Sequence, residues 1–242
     1  MALTDYVQPS LTADVAVFAL SAADAGETMA KTAVATVPAE ASAGAPGENT
    51  RIDKRTVPPS MKVLLIRRGH EPSKGWWALP GGFVNRGEMI AEAAARELME
   101  ETGLSGLRLT QLLTFSEPDR DPRGWVVTTL HLATVPVSAL ATGGIVARPG
   151  DDAADARWFE ITVTPCATPA ATPTGEEEAD IYHLELLHTT PNADDTIQLS
   201  ATVAYFGTGV EPHVLSYEGI AFDHAKMLVY ASLAIGQTSG QR

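Results

Sequence analysis

Gly82-Phe-Val-Asn-Arg-Gly-Glu88-Met-Ile-Ala-Glu-Ala-Ala-Ala-Arg96-Glu97-Leu98-Met-Glu100-Glu101-Thr-Gly103-Leu104 is the stretch on which the reading of this chain turns. Glu97, Glu100 and Glu101 stand at i, i+3 and i+4, positions that share one face of a helix. Three carboxylates so placed repel one another and raise the pKa of at least one of them. A divalent cation relieves that repulsion, and hard oxygen ligands suit Mg²⁺ or Mn²⁺. Arg96 lies beside the cluster and Glu88 precedes it, so a bidentate bond is expected to tie the loop to the helix.

Ala91, Ala93, Ala94, Ala95, Leu98 and Met99 are good helix formers. Gly103 stands where a helix takes its C-cap. Pro80, Gly81 and Gly82 come just before, so a strand should end there in a sharp turn. Glycine in that turn lets backbone amides approach a phosphate. The three glutamates by themselves also fit a solvated acidic helix face; it is the surrounding pattern that separates the two readings.

Outward from this stretch, 242 residues with 45% hydrophobic content allow one large decorated domain with a substantial core. The formal net charge of −13 argues against nucleic-acid binding, which favours a basic surface. It leaves a nucleotide substrate open, because a bound divalent cation reverses the local sign. Cys166 is the single cysteine, which excludes an internal disulfide. There is no apolar run long enough for a membrane span and no basic segment typical of a secretory leader. A cytoplasmic location is expected.

Strands are expected at residues 11–20, 61–67, 107–115, 125–135 and approaching 159. The first two should pair as neighbours. Residues 22–59, rich in Ala, Thr, Gly, Glu and Pro, are expected to form a flexible insertion. Residues 165–206 read as a second insertion, with strands at 182–187 and 196–206 forming a hairpin. A final helix is expected from about Phe222 to Ile235, with Asp223 or Ala221 near its start. The whole, 1–242, reads as a single α/β domain: a mixed sheet with helices on both faces. Pro80-Gly81-Gly82 has neither the Walker lysine spacing nor a dinucleotide-binding fingerprint.

The stretch at 82–104 resembles the Nudix box, Gly-x5-Glu-x7-Arg-Glu-U-x-Glu-Glu-x-Gly-U (U aliphatic), at every defined position. Those positions are Gly82, Glu88, Arg96, Glu97, Leu98, Glu100, Glu101, Gly103 and Leu104. The resemblance covers roughly 11–160 and 219–235. It implies an α/β/α sandwich around a mixed β-sheet, carrying long insertions, and a Nudix pyrophosphohydrolase activity. By resemblance Glu97, Glu100 and Glu101 are the metal ligands, Arg96 orients them, and Glu88 supports the loop or helps a further metal.

Pro118-Asp-Arg-Asp-Pro-Arg-Gly124 and Ala221-Phe-Asp-His-Ala225 look like the ADP-ribose pyrophosphatase branch, and also like the Nudix domain of NAD-metabolism regulators. ADP-ribose is therefore the expected substrate, giving AMP and ribose 5-phosphate with Mg²⁺ or Mn²⁺. Another nucleotide substrate (a dinucleoside polyphosphate, a nucleotide sugar or a damaged nucleoside triphosphate) stays open, as does a non-catalytic ADP-ribose sensor acting through a protein partner. The box retains all its carboxylates, and no recognition-helix pattern follows it; both favour an enzyme.

The candidate substrate-binding residues are Arg67, Arg68, Gly81, Gly82, Pro118, Arg120 and Arg123. Planar arginine donors match phosphate oxygens. Local ion pairs from Arg120 and Arg123 to Asp119 and Asp121 are the alternative for those two. Glu177 and Glu178, in an acidic run from Glu176 to Asp180, are candidates for a general base. His224 is expected to be structural, hydrogen-bonded near the box. A homodimer is expected by resemblance.

Overall fold

The computed structural model describes residues 7–21, 61–141, 148–150, 153–166, 179–190, 195–206 and 210–239. The predicted insertion at 22–59 lies outside these residues. Ten strands form one mixed sheet: β1 (Ser10–Leu20), β2 (Met61–Arg68), β3 (Trp77–Ala78), β4 (Gly81–Phe83), β5 (Thr110–Phe115), β6 (Val126–Pro136), β7 (Ala153–Pro165), β8 (Asp180–Thr189), β9 (Thr196–Tyr205) and β10 (His213–Glu218). The helices among the described residues are α1 (Ile90–Thr102), the short α2 (Val137–Ala141) and α3 (His224–Ser239). The strand order is β10-β9-β8-β7-β2-β1-β6-β5, with β3 beside β2 and β4 beside β1. Only β1 and β6, among the named strand pairs, run parallel.

Strand β1 explains the layering. Its residues from Ala13 to Leu20 are all buried, as expected of a strand covered on both faces. Ala13, Val15, Val17 and Ala19 face a core shared with Ala93, Ala94 and Leu98 of α1. Ala16, Phe18 and Leu20 face the opposite core, which holds Met227, Leu228, Ala231 and Ile235 of α3. The α/β sandwich and its mixed sheet thus follow the expectation, as do the β1–β2 pairing and the β8–β9 hairpin.

Several boundaries shift for identifiable reasons. The strand expected from residue 107 starts at Thr110, because Leu107 and Leu109 pack on the α1 core. The final helix starts at His224 rather than Phe222, whose φ of 52° is incompatible with a right-handed helix. Strand β10 was not foreseen: it lies mostly exposed at an edge and shows no alternation of burial. Extra residues bulge three pairings, at Leu112 in β5, Ala154 in β7 and Leu215 in β10. Among the described residues no helix is long and apolar enough to cross a membrane.

Candidate functional site

The site forms where β1 and β2 part company. They pair at Phe18–Val63 and Ala19–Lys62. Beyond that point β2 pairs with Trp77–Ala78, and β1 pairs with Gly81–Phe83. The segment 77–83 therefore fills the fork between the two strands. Val15 N–H donates to the Pro80 carbonyl at 2.8 Å, and Trp77 N–H to Gly219 at 2.9 Å. Trp77 is buried against Phe159, with ring centroids 4.8 Å apart.

Both glycines of the turn are required by close approach. A Cβ on Gly81 would lie 2.5 Å from the Ala13 carbonyl oxygen, and one on Gly82 would lie 2.5 Å from Glu97 Cδ. The turn thus presses directly onto the acidic helix. Helix α1 buries Ala93, Ala94 and Leu98 against β1, and ends at Gly103 with φ 72°. That orientation leaves Arg96, Glu97, Glu100 and Glu101 toward the turn.

Arg96 organises the acidic residues. Its Nε and Nη2 donate to the two oxygens of Glu88 at 2.7 and 3.1 Å, the bidentate pairing expected from their spacing. Its Nη1 donates to Glu97 Oε1 and Glu100 Oε2 at 2.8 and 2.9 Å, and Nη2 also reaches the Phe83 carbonyl. The Arg96 bonds, aided by the Asn85 backbone N–H, pull the Glu88 carboxyl down to about 2. Glu101 is different. Its Oε2 accepts the Gly81 N–H at 2.9 Å, and burial pushes its carboxyl up to about 8. Burial also raises Glu97.

Among the described residues, Glu97, Glu100 and Glu101 each retain one carboxylate oxygen with no hydrogen-bond partner. Among the described residues no group of three or more His, Cys, Asp or Glu side chains is placed to hold a metal ion as the side chains stand. The donor set nevertheless suits a hard divalent cation: it is all oxygen, with unused lone pairs and two carboxyls held above their ordinary range by burial.

The opposite wall is basic. Arg68 and Arg123 line the same cleft as Gly81 and Gly82, together with Asp14 and Asp121. Arg123 is bound bidentately by Asp121 at 2.9 and 2.6 Å. Its guanidinium lies 4.8 Å from the Phe83 ring centre and 5.2 Å from that of Phe222. Arg68 donates to the Pro72 carbonyl and also covers Phe222, at 4.7 Å. A phenylalanine at positive φ is strained, and its place against two arginines marks a constrained site.

The remaining candidates separate. Arg67 points to the other face of β2, as alternation requires, and donates to the Gly75 carbonyl at 3.0 Å. Pro118 is exposed in the 117–120 turn and does not line the cleft. Arg120 lines the cleft and pairs bidentately with Asp223, at 2.9 and 2.8 Å, rather than with Asp119 or Asp121; unlike the Arg123 side chain, which is 36% exposed, its own is only 3% exposed. Glu177 and Glu178 lie outside the described residues. Asp14, Phe83 and Phe222 were missed. Asp14 accepts a 2.5 Å bond from Thr128, and its position in an apolar strand was the available signal.

His224 plays the structural part expected of it. Nδ1 accepts the Leu79 N–H at 2.9 Å, so Nε2 carries the proton, facing Asp14 Oδ1 at 3.8 Å. Burial lowers its pKa below 6.5. The unfolded chain then binds a proton that the folded chain refuses. The His224 contribution to stability is full above pH 6.5 and is lost as pH falls toward the lower folded value. Urea denaturation at pH 7.5, 6.5 and 5.5 should show this loss. His224→Gln, whose amide oxygen can accept the same N–H, should show a smaller one; an equal slope would refute the assignment.

The NUDIX domain family model matches residues 56–184. An ADP-ribose pyrophosphatase of Methanocaldococcus jannaschii is 44% identical over 104 residues, which is 43% of this chain and 57% of that protein. The ADPR responsive transcriptional repressor NtrR of Acinetobacter baylyi is 42% identical over 77 residues, 31% of each protein. This chain therefore spans less than two thirds of either relative. Among solved structures, a MutT/nudix family protein from Enterococcus faecalis matches with a TM-score of 0.56 and 27% identity, over 96% of this chain and 63% of that one.

Proposed function

This chain belongs to the NUDIX domain family, and on that premise we propose that it is a divalent-metal-dependent hydrolase of a nucleoside diphosphate linkage, with ADP-ribose as substrate. Water adds to one phosphorus of the diphosphate and the bridging P–O bond breaks, giving AMP and ribose 5-phosphate. The observation that carries this reading is the juxtaposition, across the Gly81–Gly82 turn, of an acidic wall on α1 and a basic wall on β2 and residues 116–124. A diphosphate needs both: donors for its oxygens and a cation that neutralises what they leave.

In this reading Glu97, Glu100 and Glu101 would hold Mg²⁺ or Mn²⁺. When bound, such an ion screens the phosphate charge and lowers the pKa of coordinated water. Arg96 orients Glu97 and Glu100 through one nitrogen, and Glu88 fixes Arg96. Arg68 and Arg123 donate to diphosphate oxygens. The ring faces of Phe83 and Phe222 back these two guanidinia and hold them at the cleft. The net charge of −13 supports a small anionic substrate reached through a cation rather than a nucleic-acid partner. By resemblance the active form is a homodimer.

The test is AMP release from ADP-ribose with Mg²⁺ and with Mn²⁺, beside a dinucleoside polyphosphate, a nucleotide sugar and an oxidised nucleoside triphosphate. The expected result is metal-dependent AMP release, with the highest kcat/KM on ADP-ribose. Cleavage confined to another substrate overturns the specificity. The likeness to a transcriptional repressor favours a second reading, a sensor. Tight ADP-ribose binding without turnover of anything in the panel would establish it in place of the enzyme.

A further inference from the structure

Lys226 is a charged side chain in the first turn of α3, and its side chain is only 1% exposed. Burying an ammonium is costly unless it is paired and hydrogen-bonded. Lys226 Nζ is met by Glu117 Oε2 at 2.5 Å, Asp223 Oδ2 at 3.1 Å and Glu211 Oε2 at 3.4 Å, and it lies 5.4 Å from the centre of the Phe115 ring. Burial alone would lower its pKa; the charges of Asp223 and Glu117 outweigh that and raise it. The ammonium therefore stays charged at the junction of three segments.

Each carboxylate around it has a second task. Asp223 holds Arg120 bidentately. Glu211 accepts the Ser116 N–H and hydroxyl at 2.6 and 2.9 Å. Glu117 faces His213 Nδ1 at 2.7 Å. The segment 116–124 is thus fastened at Ser116, Glu117 and Arg120, and every fastening runs to Lys226 directly or through one carboxylate. The next residues along that segment are Asp121 and Arg123, which stand in the cleft. The same turn of α3 carries His224, which holds Leu79 beside the glycine turn.

We propose that Lys226 is a positioning residue for the basic wall of the cleft: its ammonium clamps residues 116–124 against α3 and so sets Arg123 for the diphosphate. The proposal rests on the hydrolase reading for its substrate, but not for the clamp. Lys226 touches neither the carboxylates of α1 nor the cleft itself, so it acts on substrate binding rather than on the cation.

The experiment compares the parent protein, Lys226→Met, Lys226→Arg and Glu117→Gln. Steady-state kinetics on ADP-ribose with Mg²⁺ are read beside amide hydrogen exchange of residues 116–124 and of α1. Lys226→Met should raise KM by about tenfold or more, with kcat held within about threefold, because uniform binding is what the wall supplies. Lys226→Arg should recover part of the loss, and Glu117→Gln should move KM in the same direction by less. Exchange should accelerate in 116–124 and stay unchanged in α1. An unchanged KM in active, folded Lys226→Met overturns the proposal, as does exchange that rises equally in α1, which marks a general structural staple. If Lys226→Met does not fold, Glu117→Gln carries the same comparison. If the parent does not cleave ADP-ribose, the hydrolase reading fails separately, and selective exchange in 116–124 still decides the clamp.

Discussion

Glu101→Gln is expected to lower kcat on ADP-ribose by about 10³-fold, the equivalent of roughly 4 kcal/mol in the transition state. Glu101 is hydrogen-bonded to the glycine turn: its Oε2 accepts the Gly81 N–H, and its other oxygen has no hydrogen-bond partner among the described residues. Glutamine can keep the acceptor for the Gly81 N–H and nearly the shape, and replaces the remaining carboxylate oxygen by an uncharged NH2 that cannot ligate a cation. Without metal the substitution should not destabilise the fold. Burial raises this carboxyl to about 8, so the folded state holds a proton more tightly than the unfolded chain, and the parent loses stability as pH rises from 4.5 through that value. The variant escapes this loss. Calorimetry at pH 8 should therefore show a metal-free Tm no lower than the parent's. It should also show that the rise in Tm on adding Mg²⁺ shrinks, as linkage requires when a ligand site is weakened. A variant with full kcat, or one that loses activity only by unfolding, would remove Glu101 from the proposed chemistry.

Gly82→Ala is expected to be nearly as damaging, by a different route. The new methyl would meet Glu97 Cδ at 2.5 Å. The colliding group is the end of a flexible side chain, so the carboxylate moves and the backbone does not. If Glu97 is a metal ligand as proposed, displacing its oxygen by about 1 Å costs on the order of 10²-fold in rate, while stability should change by less than about 1 kcal/mol. Gly81→Ala should reverse the balance. There the methyl meets the Ala13 carbonyl and the Asp14 Cα, rigid backbone of the central strand, and overpacking of that kind costs about 1–3 kcal/mol. Measuring kcat and urea midpoints for both variants separates the two. Equal losses of stability would mean that the turn is merely tight, with no particular relation to Glu97.

The acidic wall was legible because its residues are close in sequence and helical periodicity brings them together. Glu88 and Arg96 are eight residues apart, and Gly103 marks the end of the helix. The basic wall was not legible in the same way. Arg67 and Arg68 are indistinguishable by composition, and only the phase of β2 sends one to the cleft and the other to Gly75. Arg120 found a carboxylate 103 residues away rather than the aspartates beside it, a pairing no local pattern encodes. The same holds for Lys226, whose partner Glu117 is 109 residues distant. Phe222 looked like the first residue of a helix because an apolar residue there fits the period. Its left-handed backbone belongs to the tertiary setting of two arginines. Strand β10 escaped because an exposed edge imposes no alternation on its sequence.

The two outermost strands of the sheet, β5 and β10, each carry an extra residue, Leu112 in one and Leu215 in the other. A regular outer strand offers its free amides and carbonyls as a template for a further strand; a bulge twists that row out of line and interrupts it. Both ends of this sheet are therefore poor templates. Copies of the chain that meet in solution should join through side-chain surfaces rather than by continuing one sheet into the next. The same irregularity guards a wide, strongly apolar sheet against stacking into fibrils when the protein is concentrated.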